Sequence, residues 1–135
     1  MKKIILILSI LLLSGCFENS GYITKSCTKK DTANSLSTTT VYTFKFKNDI
    51  IDDISILYDY SDESSITITS IKTSLETQNK YLNVDYKVLT DIKNQYKIEY
   101  NIDVNSEKEI LDKFMVKKSR TELVKNLKEQ GFSCE

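Results

Sequence analysis

The side chains of this chain that could do chemistry are three cysteines, a few clustered carboxylates and many serines. Serine and cysteine become strong nucleophiles when a neighbouring base takes their proton, and histidine is the side chain that most often does so near neutrality. The sequence contains no histidine, so a Ser-His-Asp arrangement cannot be built, and no Ser-x-x-Lys motif is expected to stand in for it. Carboxylates occur together at Asp52-Asp53 and at Asp59, Asp62 and Glu63, and such groups can flank a glycosidic bond or ligate Ca²⁺. The first pair lies at the start of an alternating segment. The second group lies in the turn into a helix, where acidic residues meet a favourable dipole, so a structural role accounts for both. Asp59, Asp62 and Glu63 are kept as the site of an alternative reading, a small ligand or Ca²⁺. No Asp-x-Asp-x-Asp-Gly loop, Gly-rich phosphate cradle or Cys/His zinc cluster is present. The expectation is a protein that is not an enzyme and carries no cofactor.

Cys16 has a different chemistry open to it. Met1-Lys2-Lys3 is a positively charged start, Ile4 to Leu13 is an apolar segment of signal-peptide length, and Leu13-Ser14-Gly15-Cys16 closes it. The apolar segment is too short to cross a bilayer, which takes roughly 20 residues at helical rise. The closing tetrapeptide resembles the lipobox of bacterial lipoproteins. That resemblance implies a diacylglyceryl thioether on Cys16, cleavage between Gly15 and Cys16, and acylation of the new amino terminus. Residues 1–15 are then a lipoprotein signal peptide, 16–26 the lipidated cysteine and its tether, and 27–135 a single domain. Two or three acyl chains hold a protein stably where one does so only marginally, which places the domain on the extracytoplasmic face of the cell membrane.

Removing residues 1–15 from 135 leaves 135 − 15 = 120, enough for one domain with a modest core. The chain has 19 basic and 19 acidic residues. Without Lys2 and Lys3 the balance is 17 − 19 = −2, which leaves no electrostatic footprint for nucleic acid. Once Cys16 is lipidated, Cys27 and Cys134 remain as an even pair outside the cytoplasm and are expected to form one disulfide. Two free thiols or a redox pair are the alternatives, and no Cys-x-x-Cys spacing supports the latter.

The elements that must position these groups follow from periodicity. Tyr22 to Asp31 is a Thr- and Lys-rich strand candidate, followed by a turn over 32–37. Tyr42, Phe44 and Phe46 alternate with polar residues, as do Ile54, Ile56, Tyr58 and Tyr60 after the turn residues Asn48-Asp49, giving a hairpin with one buried face. Residues 61–82 are ambiguous between a strand at Ile66 to Thr69 and a helix with Ile68, Ile71, Leu75 and Leu82 on one face. Helix is preferred, because 20 residues without Gly or Pro are long for one strand. Val84, Tyr86 and Val88, then Tyr96 to Val104, read as a second hairpin joined by a loop around 90–95. Ser106-Glu107-Lys108-Glu109 and Ser119-Arg120-Thr121-Glu122 are capping boxes that open two short C-terminal helices, and Gly131 suits the residue just past the second. The expected fold is α+β, a curved antiparallel sheet of about five strands with the central helix and two C-terminal helices packed on one face.

The lipobox, the strand and turn at Tyr42 to Asp49, the central helix, the second hairpin and the ending Leu123 to Cys134 together resemble the YehR-like small lipoproteins. The similarity covers roughly residues 4–134 in order of elements. It implies an α+β fold and brings no catalytic or binding residues with it. The eight tyrosines suit recognition surfaces in general, but Tyr42, Tyr58, Tyr60, Tyr86, Tyr96 and Tyr100 all fall on apolar faces and read as core or core-edge residues. The functional expectation is a membrane-anchored envelope domain that interacts with another envelope protein or wall polymer, with the ligand-binding reading as its alternative.

Overall fold

The computed structural model describes residues 21–82, 84–104 and 119–135. The alternating segments become β1 (Tyr22–Ala33), β2 (Leu36–Lys47) and β3 (Ile50–Ser61), a meander closed by the two-residue turns Asn34-Ser35 and Asn48-Asp49. Asn34, Asn48 and Asp49 sit at φ of 57°, 51° and 65°. Two-residue hairpin turns need such left-handed values, and Asn and Asp tolerate them best among residues with a Cβ. The chain continues through α1 (Ser65–Leu82), β4 (Asp85–Ile92), β5 (Gln95–Asp103), α2 (Arg120–Glu129) and β6 (Ser133–Cys134). One open sheet results, ordered β4-β5-β3-β2-β1-β6, with every neighbouring pair antiparallel.

The sheet therefore has six strands rather than five, because the residues after α2 add β6 along β1. Hairpin turns are also tighter than expected: β1 runs to Ala33 and β4 to Ile92, since cross-strand hydrogen bonding continues through Thr- and Asp-containing ends that propensity alone leaves as loop. Residues 61–82 are helical from Ser65 on, as the long unpunctuated run suggests. Of the two C-terminal helices, the second is α2; the first, opening at Ser106, lies outside the described residues. The end of α2 is a Schellman turn. Gly131 at φ 91° donates to the Lys128 carbonyl at 3.0 Å and Phe132 to the Leu127 carbonyl at 2.9 Å, the pair of bonds that satisfies the last carbonyls of a helix. Its start differs from the capping box expected. The Ser119 side chain makes no capping bond, because Ser119 is held extended in a bridge to Ile50 and Arg120 N–H donates to the Asp49 carbonyl.

Only one face of the sheet is apolar. Phe44, Phe46, Ile54, Ile56, Tyr96, Ile98 and Ile102 are buried there, and α1 and α2 complete the cluster with Ile68, Leu123 and Leu127. A bulge keeps Ile51 and Ile54 in it although they are three apart: Lys45 pairs with Asp53 but Phe46 with Ile51, so Asp52 is the extra residue and the alternation restarts. The carboxylate pair Asp52-Asp53 thus marks a backbone irregularity. Among the described residues no helix is long and apolar enough to cross a membrane.

Candidate functional site

The structure joins Cys27 to Cys134 by a disulfide with Cα atoms 4.0 Å apart. β6 exists because of this neighbourhood: Cys27 pairs with Cys134 and Thr28 with Ser133, while Ser26 and Glu135 exchange backbone bonds of 3.1 and 2.9 Å. The cysteines therefore occupy the non-hydrogen-bonded position between narrow backbone pairs, where opposing Cα atoms come closest. Cys27 is fully buried and Cys134 half-buried against the core. The bridge is not presented as a redox centre. Cys16, the expected lipidation site, lies outside the described residues.

The expectation that no Ser-x-x-Lys motif occurs is wrong as to spacing: Ser26-Cys27-Thr28-Lys29 matches that of a serine nucleophile with a lysine base. That pairing works on a helix, where residues three apart share a face. On β1 they point to opposite sides of the sheet. Lys29 instead pairs with Asp31 at 3.4 Å and lies 5.9 Å from the centre of the Phe132 ring.

The three acidic residues of the alternative reading do not converge. Asp59 lies on the sheet face opposite the core, accepting from Gln95 at 2.8 Å and pairing with Lys97 at 3.7 Å. Asp62 is buried at the end of β3. Both its oxygens accept from Ser35 Oγ, at 3.0 and 3.1 Å, and one accepts the Ser64 N–H at 2.6 Å, the local turn by which Asp prepares a helix start. Glu63 is exposed. Asn94 completes the junction by donating through Nδ2 to the carbonyls of Asp62 and Glu63 at 2.9 and 2.8 Å, while its own carbonyl accepts the Asp62 N–H. Asp62 is thus a rivet between the β1/β2 turn, the start of α1 and the β4/β5 turn. Among the described residues no group of three metal-ligating side chains forms.

The tyrosines form the most continuous polar layer on the apolar face. Tyr58 stacks on Tyr60 with ring centres 6.0 Å apart and meets the Tyr100 edge at 6.1 Å, and Tyr42 lies 5.3 Å from Phe132. Burial pushes the Tyr58 phenol well above its ordinary range, reinforced by neighbouring Tyr42. Burial likewise raises Tyr60, Tyr96, to about 12, and Tyr100. Phenols held protonated are hydrogen-bond donors and poor nucleophiles. Tyr96 and Tyr100 are core residues and Tyr42, Tyr58 and Tyr60 are half-buried, as alternation suggests; Tyr86, 47 % exposed, is the exception. Beside α2 lies an open hollow of about 600 Å³ lined by Lys25, Arg120, Val124, Lys125 and Lys128 among others.

No protein-family model and no curated relative matches this sequence. Its fold is similar to that of a protein from Streptococcus pneumoniae TIGR4 determined by NMR, with a TM-score of 0.54 and 14 % identity over 87 % of each chain. At that identity the likeness concerns the fold alone. It shows that this α+β arrangement of sheet and helices occurs in a solved structure.

Proposed function

We propose that this chain is an exported bacterial lipoprotein, held by lipid on Cys16 at the extracytoplasmic face of the cell membrane. Its α+β domain serves as a non-catalytic interaction or structural module of the envelope. The observation that carries this reading is Leu13-Ser14-Gly15-Cys16 behind a basic start and an apolar run. The Cys27 to Cys134 bridge supports it, because structural disulfides persist in oxidising compartments. The few residues between Cys16 and Tyr22 reach at most about 20 Å, so β1 begins close to the bilayer. Lys25, Lys125 and Lys128 around the α2 hollow suit such a position beside anionic headgroups; Arg120 there is paired with Asp49 at 2.8 Å, and Glu129 shares the lining. The resemblance to YehR-like lipoproteins and a first C-terminal helix opening at Ser106 belong to the same proposal. The ligand-binding alternative loses its support at Asp59, Asp62 and Glu63, since the first two carboxylates already have protein partners.

The test is metabolic labelling of the full chain with an alkynyl fatty acid in a bacterial host. Incorporation into the wild type, recovery in the membrane pellet and loss of both in Cys16→Ala are expected. A soluble wild-type chain that retains residues 1–15 and carries no label on Cys16 overturns the proposal. A melting temperature unchanged by chelator is expected at the same time, and a chelator-sensitive one would revive the Ca²⁺ alternative.

A further inference from the structure

β4 closes one edge of the sheet, with no neighbour beyond it among the described residues. Long open edges template pairing with another chain, and natural proteins usually blunt them with charge or a bulge. β4 has both devices, but in an arrangement that selects a partner. The bulge sits at Leu89, between Val88, which pairs with Ile98, and Thr90, which pairs with Lys97. Before it the strand edge is Asp85-Tyr86-Lys87-Val88, in which Tyr86 is 47 % and Val88 40 % exposed, and Val84, leading into the strand, is buried.

The backbone of that segment can be oriented from one hydrogen bond. Asp62 N–H donates to the Asn94 carbonyl, which continues the pattern in which even-numbered residues of β3 turn their N–H and C=O toward β5. Their partners Tyr96, Ile98 and Tyr100 turn back toward β3, because both groups of one residue in an antiparallel ladder point to the same side. Glu99 and Asn101 therefore face β4, where they pair with Lys87 and Asp85. Tyr86 and Val88 are left with N–H and C=O directed off the sheet, and the same alternation extended to Val84, just before the strand, gives it that direction too.

From this geometry we infer that β4 pairs with β4 of a second copy of this chain, antiparallel and about a two-fold axis at Tyr86. In that register Tyr86 exchanges both backbone bonds with its own copy, and Val84 does so with Val88 of the other chain. Asp85 then stands opposite Lys87 of the other chain, twice over. These side chains share the face opposite the core, at non-hydrogen-bonded positions where cross-strand partners lie closest. Neither Asp85 nor Lys87 has an ion-pair partner among the described residues. Apolar residues meet apolar residues, opposite charges meet, and the edge groups are satisfied. A shift of the axis by one residue puts Lys87 opposite Lys87 or Asp85 opposite Asp85. The Leu89 bulge ends the ladder after five residues and blocks indefinite edge growth.

The experiment is oxidative crosslinking of the full chain carrying Tyr86→Cys, with Ile92→Cys, exposed on the same strand but beyond the bulge, as its control. Hydrogen-bonded antiparallel pairs hold Cα atoms about 5.5 Å apart, within reach of a disulfide. A covalent dimer is expected with Tyr86→Cys, at least tenfold more abundant than with Ile92→Cys. Adding Lys87→Glu to Tyr86→Cys is expected to abolish the dimer. Co-expression of that variant with an Asp85→Lys, Tyr86→Cys chain restores it as a heterodimer, because both cross-strand pairs are then again of opposite sign. Equal crosslinking at positions 86 and 92, no crosslinking at either, or a dimer indifferent to the charge reversals overturns the inference. Every variant is also made with Cys16→Ser, which removes the other thiol able to crosslink, so that no outcome depends on lipidation of Cys16.

Discussion

Cys27 and Cys134 stand opposite each other across the β1/β6 ladder, 107 residues apart in the chain and 4.0 Å apart at their Cα atoms. β6 has two residues, far too few to hold an edge position by backbone bonds alone, so the covalent bridge and the α2 Schellman turn must hold it. In the chain-entropy model a loop of about 100 residues corresponds to about 4.7 kcal/mol of stabilisation. The double variant Cys27→Ser, Cys134→Ser is expected to lose about 2–5 kcal/mol in urea titration, and dithiothreitol should lower the wild type to the same midpoint. A midpoint that does not move would show that β6 docks without the bridge.

The buried phenols set an alkaline limit. A tyrosine whose folded-state pKa lies above 10.0 holds its proton while the unfolded chain loses one, so stability falls as pH rises. The stabilisation is fully present below pH 10.0, the ordinary value, and Tyr96 loses it between there and about 12. Urea midpoints should fall steeply over that window and be flat between pH 7 and 9. Part of the tyrosinate absorbance near 295 nm should rise together with unfolding, because burial holds Tyr58 and Tyr96 protonated in the folded chain above pH 10.0. Tyr96→Phe should lessen the fall.

Most of the sheet was legible because Tyr42 to Phe46, Ile54 to Tyr60 and Tyr96 to Ile102 alternate cleanly and one face of each is buried. Two kinds of feature were not. The Asp52 bulge and the two-residue β6 depend on pairing between distant strands, which a local pattern cannot register. Asp62 looked like one of three ligands because Asp59, Asp62 and Glu63 are close in sequence, yet a strand end sends neighbouring side chains to different faces. Ser26 and Lys29 mislead in the same way, since their spacing has meaning only on a helix. The self-complementarity of β4 needs the direction of each backbone group, and that becomes known only once the sheet order is.

Asp62 should behave as a structural residue. Replacing it with Ala removes the acceptor of the Ser64 N–H and of Ser35 Oγ together, at an expected cost of about 1–3 kcal/mol for groups left unpaired in a buried place. Asp62→Asn keeps an acceptor and should cost less, roughly 1 kcal/mol. Hydrogen exchange is the discriminating readout: the Ala variant should speed exchange in the first turn of α1 and at the β1/β2 turn, where Ser64 and Ser35 lose the carboxylate, while leaving the β4/β5 turn, held through the Asp62 main chain, and the β1/β6 end unchanged. Acceleration confined to α1 would show that the carboxylate does not hold the β1/β2 turn.

Asn79 and Tyr100 test the price of polarity in the core. Asn79 is buried on α1, its Oδ1 accepts from Tyr100 at 2.8 Å, and its Nδ2 finds no hydrogen-bond partner among the described residues. Tyr100→Phe then removes the one bond that compensates the buried amide and is expected to cost about 1–3 kcal/mol. Replacing both partners by apolar groups of similar shape is often close to neutral, so adding Asn79→Leu to Tyr100→Phe should recover most of that loss. The double-mutant cycle should give a coupling of about 1–2 kcal/mol between these two contacting residues. If the double variant is instead less stable than Tyr100→Phe, the amide is satisfied by an ordered water, because a hydrated Asn79 would retain a contribution that Leu cannot replace.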